Sequence, residues 1–137
     1  MSTRNKIAVV DPSAPKANPF TSNMIVSGSS VYLSGVVGVD ANGQFVEGTI
    51  QDRTRAALGV AKRRLALLGL DLGDVVSVQI FLVDYNSDFA SMNAAYIPEF
   101  PKDTPMPCRT CVGIATLPGR HDIEMTIIAA KRDVAKL

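Results

Sequence analysis

The spacing of apolar positions changes period several times along the chain, and each change marks an element. Residues 5–10 form a short apolar run that leads into a Pro-rich loop with Pro12, Pro15 and Pro19. Residues 24–26 and 31–34 read as two strands joined by the turn Ser27-Gly28-Ser29-Ser30. A loop around Asn42-Gly43 follows. From Thr49 to Leu68 the period lengthens to that of a helix, with Ile50, Thr54, Ala57, Leu58, Ala61, Leu65 and Leu68 on one stripe. Thr49 and Asp52 have the spacing of a capping box, with Asp in place of the usual Glu, and Gly69 is placed to end the helix. Residues 74–83 return to period two: Val76, Val78, Ile80 and Leu82 face one way, and Val75, Ser77, Gln79 and Phe81 the other. A second helix starts at Ser87 or Asp88, and Phe89, Met92, Asn93, Tyr96, Ile97 and Phe100 form its stripe. Pro98 should distort it or end it early.

Pro105–Pro107 then opens a terminal β-hairpin, with Leu117-Pro118-Gly119 as a type II turn. The predicted order is β-β-β-α-β-α-β-β in one domain over residues 1–137, an α+β class with two helices on one face of a mixed sheet, without repeats or linkers. In the last strand Ile123, Met125, Ile127 and Ala129 make one apolar face, while Ile128 and Ala130 make the other partly apolar. Two helices cover only one face of such a sheet, so the apolar second face predicts a homo-oligomer.

Two charges interrupt the hairpin. Arg109 lies between Cys108 and Thr110, and Glu124 between Ile123 and Met125. A charge in an apolar strand needs a partner, solvent or a ligand. With the turn at Pro118-Gly119, Arg109 would pair with Ile128 and Glu124 with Gly113. The two charges would then be four residues apart on the ladder, roughly 13 Å. That spacing predicts separate solvation, or places at different ends of a cleft between subunits, rather than a salt bridge. Arg109, Cys111 and Gly113 share a face. A guanidinium fork matches a carboxylate, so a carboxylate-bearing small molecule is a natural ligand; a solvated edge-strand arginine fits the pattern equally. Asn93 reads either as an amide bonded to a neighbouring loop or as a pocket amide.

Composition narrows the classes of function. The chain of 137 residues has a net charge of +1, which gives no electrostatic footprint for nucleic acid or membrane. Lys62-Arg63-Arg64 reads as a solvated helix face. The N-terminus lacks an apolar signal-peptide core, and no apolar run reaches the ~18–20 residues of a membrane span. A soluble cytoplasmic protein is expected. Arg4 and Lys6 beside Asp11 give little support to a mitochondrial presequence, and that compartment stays open. The two cysteines, Cys108 and Cys111, form a CxxC. In a strand they point to opposite faces, so no bridge is expected, and reduced thiols fit a reducing compartment. The single histidine, His121, is too few for a zinc site and lies near the turn, in solvent, where it leaves Cys111 without a base.

The motifs resemble those of the RidA/YjgF family, also called the endoribonuclease L-PSP family. Pro107-Cys-Arg-Thr-Cys-Val, Leu117-Pro and Ile123-Glu-Met are similar to its terminal signature P-x-R-[ST]-x-V … I-E-[IVM]-x-x-[IV]-A. Tyr32-Leu-Ser-Gly35, Phe81-Leu-Val-Asp84 and the run from Phe89 through Asn93 to Tyr96 match weaker motifs in the right order, so that the similarity spans about Pro12 to Arg132. The resemblance implies a chorismate-mutase-like subunit assembled as a trimer, with clefts between subunits. It implies hydrolysis of reactive 2-imino or enamino acids, of the 2-iminobutanoate and 2-iminopropanoate type, to 2-keto acids and ammonia without a cofactor. Carried over by position, Arg109 binds the carboxylate, Glu124 orients or activates water with Cys111 beside it, and Ser34, Gly35 and Asn93 line the pocket. The chain departs from the family with Phe20 for a common tyrosine, Val36 for glutamine and Gly113 for glutamate. These changes alter the pocket wall and leave the substrate range open. A non-catalytic metabolite-binding or chaperone-like protein is the alternative, because a fold does not fix a function. A ribonuclease is disfavoured by the near-neutral charge and the absence of a placed histidine.

Overall fold

The computed structural model describes residues 2–14 and 18–133; Pro15 of the expected Pro-rich loop lies outside them. Six strands, β1 (Ile7–Val9), β2 (Met24–Ser27), β3 (Ser30–Val37), β4 (Val75–Leu82), β5 (Cys108–Gly113) and β6 (Ile123–Ala130), form one sheet in the order β1-β2-β3-β6-β4-β5. Helices α1 (Ile50–Ala66) and α2 (Tyr85–Tyr96) pack on one face of it. The sheet is mixed, because β4 and β5 run parallel while the other neighbours run antiparallel. This is the α+β layer the periodicity predicts.

Local signals fix α1. Thr49 accepts from the Asp52 N–H, and the Asp52 carboxylate accepts from the Thr49 N–H, closing the expected capping box. At the other end Gly69 takes φ +70°, and the Gly69 and Leu70 N–H groups bond to the carbonyls of Ala66 and Leu65. Ala57, Leu58, Ala61 and Leu65 are fully buried against β3 and β6. β6 supplies Ile123, Met125, Ile127 and Ala129 to the same core, as its alternation predicts. Arg64 departs from the expected solvated helix face: its guanidinium is half-buried and binds Asp11, tying the N-terminal loop to α1.

The terminal hairpin is not formed. β5 pairs with β4 alone, at Val78↔Arg109 and Ile80↔Cys111, while β6 inserts between β3 and β4. The reason is twofold. The unit β4-α2-β5 is a crossover, which demands parallel pairing. And β6, apolar on one face and partly apolar on the other, belongs at the centre of the sheet. The end of β4 holds both neighbours, through Ile114 N–H to Leu82 O and Val83 N–H to Asp122 O. The turn at Pro118-Gly119 exists, with Gly119 at φ +62°, but it joins strands two positions apart.

Two bulges correct the face assignments. Val75 pairs with Ala129 and Ser77 with Ile128, so Val76 is the extra residue; it is 46% exposed and Val75 takes the core position. β3 runs on past Ser34 to Val37, with a register step between Leu33 and Val36. Its buried positions are therefore Val31, Leu33 and Val36, and Val36 enters the core instead of lining a pocket. α2 starts at Tyr85, earlier than the sequence indicates, because no side chain caps its N-terminus to mark it; it gives way to a 3-10 turn at Ile97–Glu99 around Pro98, as expected.

Candidate functional site

Arg109 stands on β5, at the edge of the sheet, on the helix-covered face. Its Nη1 donates to Asn93 Oδ1 at 2.6 Å. Its guanidinium carbon lies 5.0 Å from the centroid of the Tyr96 ring and 5.8 Å from that of Phe89. Three residues on one face of α2, spaced i, i+4 and i+7, thus hold the cation from below. Asn93 is a pocket amide, bonded to the arginine rather than to a loop. A cleft of about 350 Å³ opens here, lined by Asn93, Tyr96, Ile97, Met106, Pro107 and Arg109. Its walls are largely apolar around one cation. Such a site turns a carboxylate toward the guanidinium and the remainder of a small molecule toward carbon.

Cys111 points to the same face, half-buried against the core. Burial pushes its thiol above the ordinary range, and Arg109 counters this in smaller measure. The thiolate is disfavoured, which is the opposite of what a nucleophilic cysteine requires. Cys108 is exposed, and both thiols are free, as two strand positions three apart predict. Gly113 follows on the same face. A Cβ there would meet the Tyr85 Cβ at 3.0 Å, and the Tyr85 ring stacks on Phe89 at 4.8 Å. A side chain at 113 would thus press on the start of α2, where Tyr85 stands.

Glu124 occupies the opposite face. Its register partners are Val37 on β3 and Phe81 on β4, and the latter is odd-numbered steps from Val78. Its carboxylate lies over Gly35 in the β3 bulge. Ser34, beside it, donates through Oγ to the Ser22 carbonyl at 2.6 Å and fastens the loop over residues 18–23. Phe20 on that loop is 89% exposed. A groove of about 430 Å³ runs between Phe20, Ile25, Tyr32 and Ser34.

The predicted residues therefore gather in two groups. Arg109, Asn93 and Cys111 form one; Glu124, Gly35, Ser34 and Phe20 form the other. Arg109 is level with Ile127 across β4, so Glu124 is two strands away and three residues along, about 14 Å in the sheet and on its other side. One chain does not bring the groups together. This replaces the spacing derived from the hairpin, and the two charges remain without a mutual salt bridge.

The sequence places Tyr96 on the α2 stripe and in the run from Phe89 through Asn93, without a role at the site. It is 1% exposed and also supports the guanidinium, and its hydroxyl is buried without a hydrogen-bond partner. Burial raises its pKa to about 12, with Arg109 opposing. The available signal was its place three residues after Asn93 on one helical stripe. His121 is half-buried beside Phe45, with the rings 5.9 Å apart, rather than free in solvent. Among the described residues no three His, Cys, Asp or Glu side chains gather as ligands for a metal ion, and no helix is long and apolar enough to cross a membrane.

An α+β layer with an edge arginine held by the second helix and a glutamate on the open face belongs to a recognised class. Residues 12–131 match the family described as Endoribonuclease L-PSP, and the chain belongs to that family, the RidA/YjgF family of the motifs above. Among its relatives, Protein HMF1 of Saccharomyces cerevisiae is 38% identical over 125 residues, covering 91% of this chain and 95% of that one. The 2-iminobutanoate/2-iminopropanoate deaminase of Salmonella typhimurium is 36% identical over 106 residues, covering 77% of this chain and 82% of that one. The crystal structure of Escherichia coli TdcF with bound serine superposes with a TM-score of 0.79 at 28% identity, over 92% of this chain and 100% of that one.

Proposed function

We propose that this protein hydrolyses 2-imino and 2-enamino acids to 2-keto acids and ammonia, in clefts shared between the subunits of a homotrimer. The observation that carries the reading is the separation of Arg109 and Glu124 onto opposite faces of one sheet. Each is half of a site, and a second copy supplies the other half. The uncovered sheet face, with Ile25, Phe81 and Ile128 half-buried and Tyr32 exposed, offers an apolar surface for that copy. A relative named as an imine deaminase and a structural neighbour holding serine, an amino acid with the same α-carboxylate, support the substrate class.

The chemistry asks little of the protein. Arg109, braced by Asn93 and Tyr96, grips the substrate carboxylate and fixes the imine carbon. Glu124 of the neighbouring copy accepts a proton from water as the water oxygen bonds to that carbon. The imine nitrogen gains a proton, giving a neutral carbinolamine. A proton then passes from the hydroxyl through Glu124 to the amino nitrogen, the C–N bond breaks as the carbonyl forms, and the nitrogen departs as ammonia. Cys111 contributes surface beside the reacting carbon and no bond to it.

The test is to generate 2-iminobutanoate in situ and follow 2-ketobutanoate. The protein should accelerate its appearance, and Arg109→Ala should abolish the acceleration. Acceleration by Arg109→Ala equal to that of the unchanged protein sinks the assignment. Binding of 2-keto acids with no effect on any imine favours the metabolite-binding alternative.

A further inference from the structure

Glycine stands at position 35 although the backbone there does not require it. The glycines in the left-handed region are Gly28, Gly43, Gly48, Gly69 and Gly119, and Gly35 keeps a φ that any L residue adopts. What position 35 lacks is room. A Cβ there would lie 2.8 Å from Cδ and 3.0 Å from Cγ of Glu124, and closer still to Oε1. The carboxylate fills the volume that any other residue would use.

Strand β3 makes this volume deliberately. Leu33 pairs with Ile127 and Val36 with Met125, so Ser34 and Gly35 together stand opposite the single residue Thr126. The bulge is pinned from outside by Ser34, whose Oγ bonds to Ser22 O at 2.6 Å and whose N–H bonds to Asn23 O at 3.0 Å. The strand is thereby bent and fastened where the glutamate crosses it.

We propose that Gly35 is a positioning residue for Glu124: its missing side chain is the seat in which the carboxylate lies, and this seat sets where the Glu124-bound water meets the imine carbon. The inference rests on the deaminase reading and adds a geometric requirement to it. A methyl group at 35 meets the outer part of a flexible side chain, and the glutamate can swing aside by rotating its own bonds. The consequence is misplacement rather than unfolding.

The experiment is a double-mutant cycle on the full chain, with 2-iminobutanoate generated in situ. Gly35→Ala should lower kcat about 100-fold, the loss that a misplacement near 1 Å brings. KM should stay within about 3-fold, because the carboxylate is held by Arg109, and the assembly state should be unchanged. In a Glu124→Gln background Gly35→Ala should cost less than about 3-fold more, since the displaced group no longer works. If Gly35→Ala fails to fold, Glu124→Ala should restore folding to it by emptying the seat. A Gly35→Ala protein with unchanged kcat, an equal loss in both backgrounds, or a folding defect that Glu124→Ala leaves in place overturns the inference. Full activity in Glu124→Gln overturns the role of Glu124 and this inference with it. A strongly impaired Glu124→Gln beside a fully active Gly35→Ala overturns this inference alone.

Discussion

Arg109 and Glu124 face away from each other across one sheet: Arg109 points toward α2 from the edge strand, and Glu124 lies on the uncovered face two strands inward. Neither charge neutralises the other within a chain. Arg109 stands at the exposed edge of the sheet and Glu124 on the face without helices.

The brace on Arg109 is directional, so charge alone should not replace it. Arg109→Lys keeps the cation but loses the planar fork and the ring stacking on Tyr96. Steady-state kinetics should show KM raised about 10- to 100-fold, the range for a lost hydrogen bond to a charged group. A KM within twofold of the unchanged protein counts against carboxylate recognition by the guanidinium.

The surroundings of Cys111 do not favour a nucleophile. Burial holds its thiol protonated beyond the ordinary range. Cys111→Ser should keep kcat within about 3-fold, since no bond to sulfur is made in the reaction. A loss of 1000-fold or more, or trapping of a covalent adduct on Cys111 by mass spectrometry, contradicts this.

Gly113 and Tyr85 are a matched pair in this chain. A Cβ at 113 would meet the Tyr85 Cβ at 3.0 Å, so Gly113→Glu should destabilise by about 1–3 kcal/mol through overpacking. Chemical denaturation measures it, and in a Tyr85→Gly background, where the Cβ is gone, the same substitution should cost much less. Unchanged stability in Gly113→Glu sinks the pairing.

Asp88 is half-buried on α2, and its pKa is raised by burial first, then by Asp122 and Asp84, with Arg53 working against the shift. A folded pKa above the unfolded one means the acid form suits the fold. The favourable contribution is present below the unfolded value of 3.8 and is lost as pH rises through the folded value. Asp88→Asn should therefore raise the melting temperature at pH 7, by an effect on the order of 0.5 kcal/mol, and the gain should vanish below the unfolded carboxylate pKa. Asp11 has the opposite sign: burial raises its pKa, but bonds from Ser13 and Arg64 lower it further, so the tie between the N-terminal loop and α1 holds above pH 3.8 and is lost as pH falls through the folded value.

What the sequence revealed follows the range of each interaction. The capping box of Thr49 and Asp52, the close at Gly69 and the buried face of β6 depend on neighbours within a few residues, and periodicity shows them directly. The insertion of β4 between β5 and β6 depends on which distant strand wins an edge, and a turn signal at Pro118-Gly119 cannot report that. The bulges at Val76 and at Ser34-Gly35 each shift alternation by one: Val75 rather than Val76 takes the core position, while Val78, Ile80 and Leu82 keep the face the alternation predicts, and β3 continues past Ser34 to bury Val36. Arg109, Glu124 and Asn93 were visible as polar groups in apolar patterns. Tyr96 was hidden because a ring that braces a guanidinium and a ring that fills a core have the same spacing.

The central claim is that each reaction centre joins Arg109 of one copy to Glu124 of another, and subunit mixing tests it most directly. Arg109→Ala and Glu124→Gln proteins, each reduced to a small residual rate alone, are unfolded, combined in equal amounts and refolded together. In a cyclic trimer formed at random, about one quarter of the clefts regain both residues, so 2-iminobutanoate hydrolysis should return to about one quarter of the unmixed, unmutated rate. Mixed assemblies that form, as shown by native mass spectrometry, and yet remain as slow as their parents contradict the account.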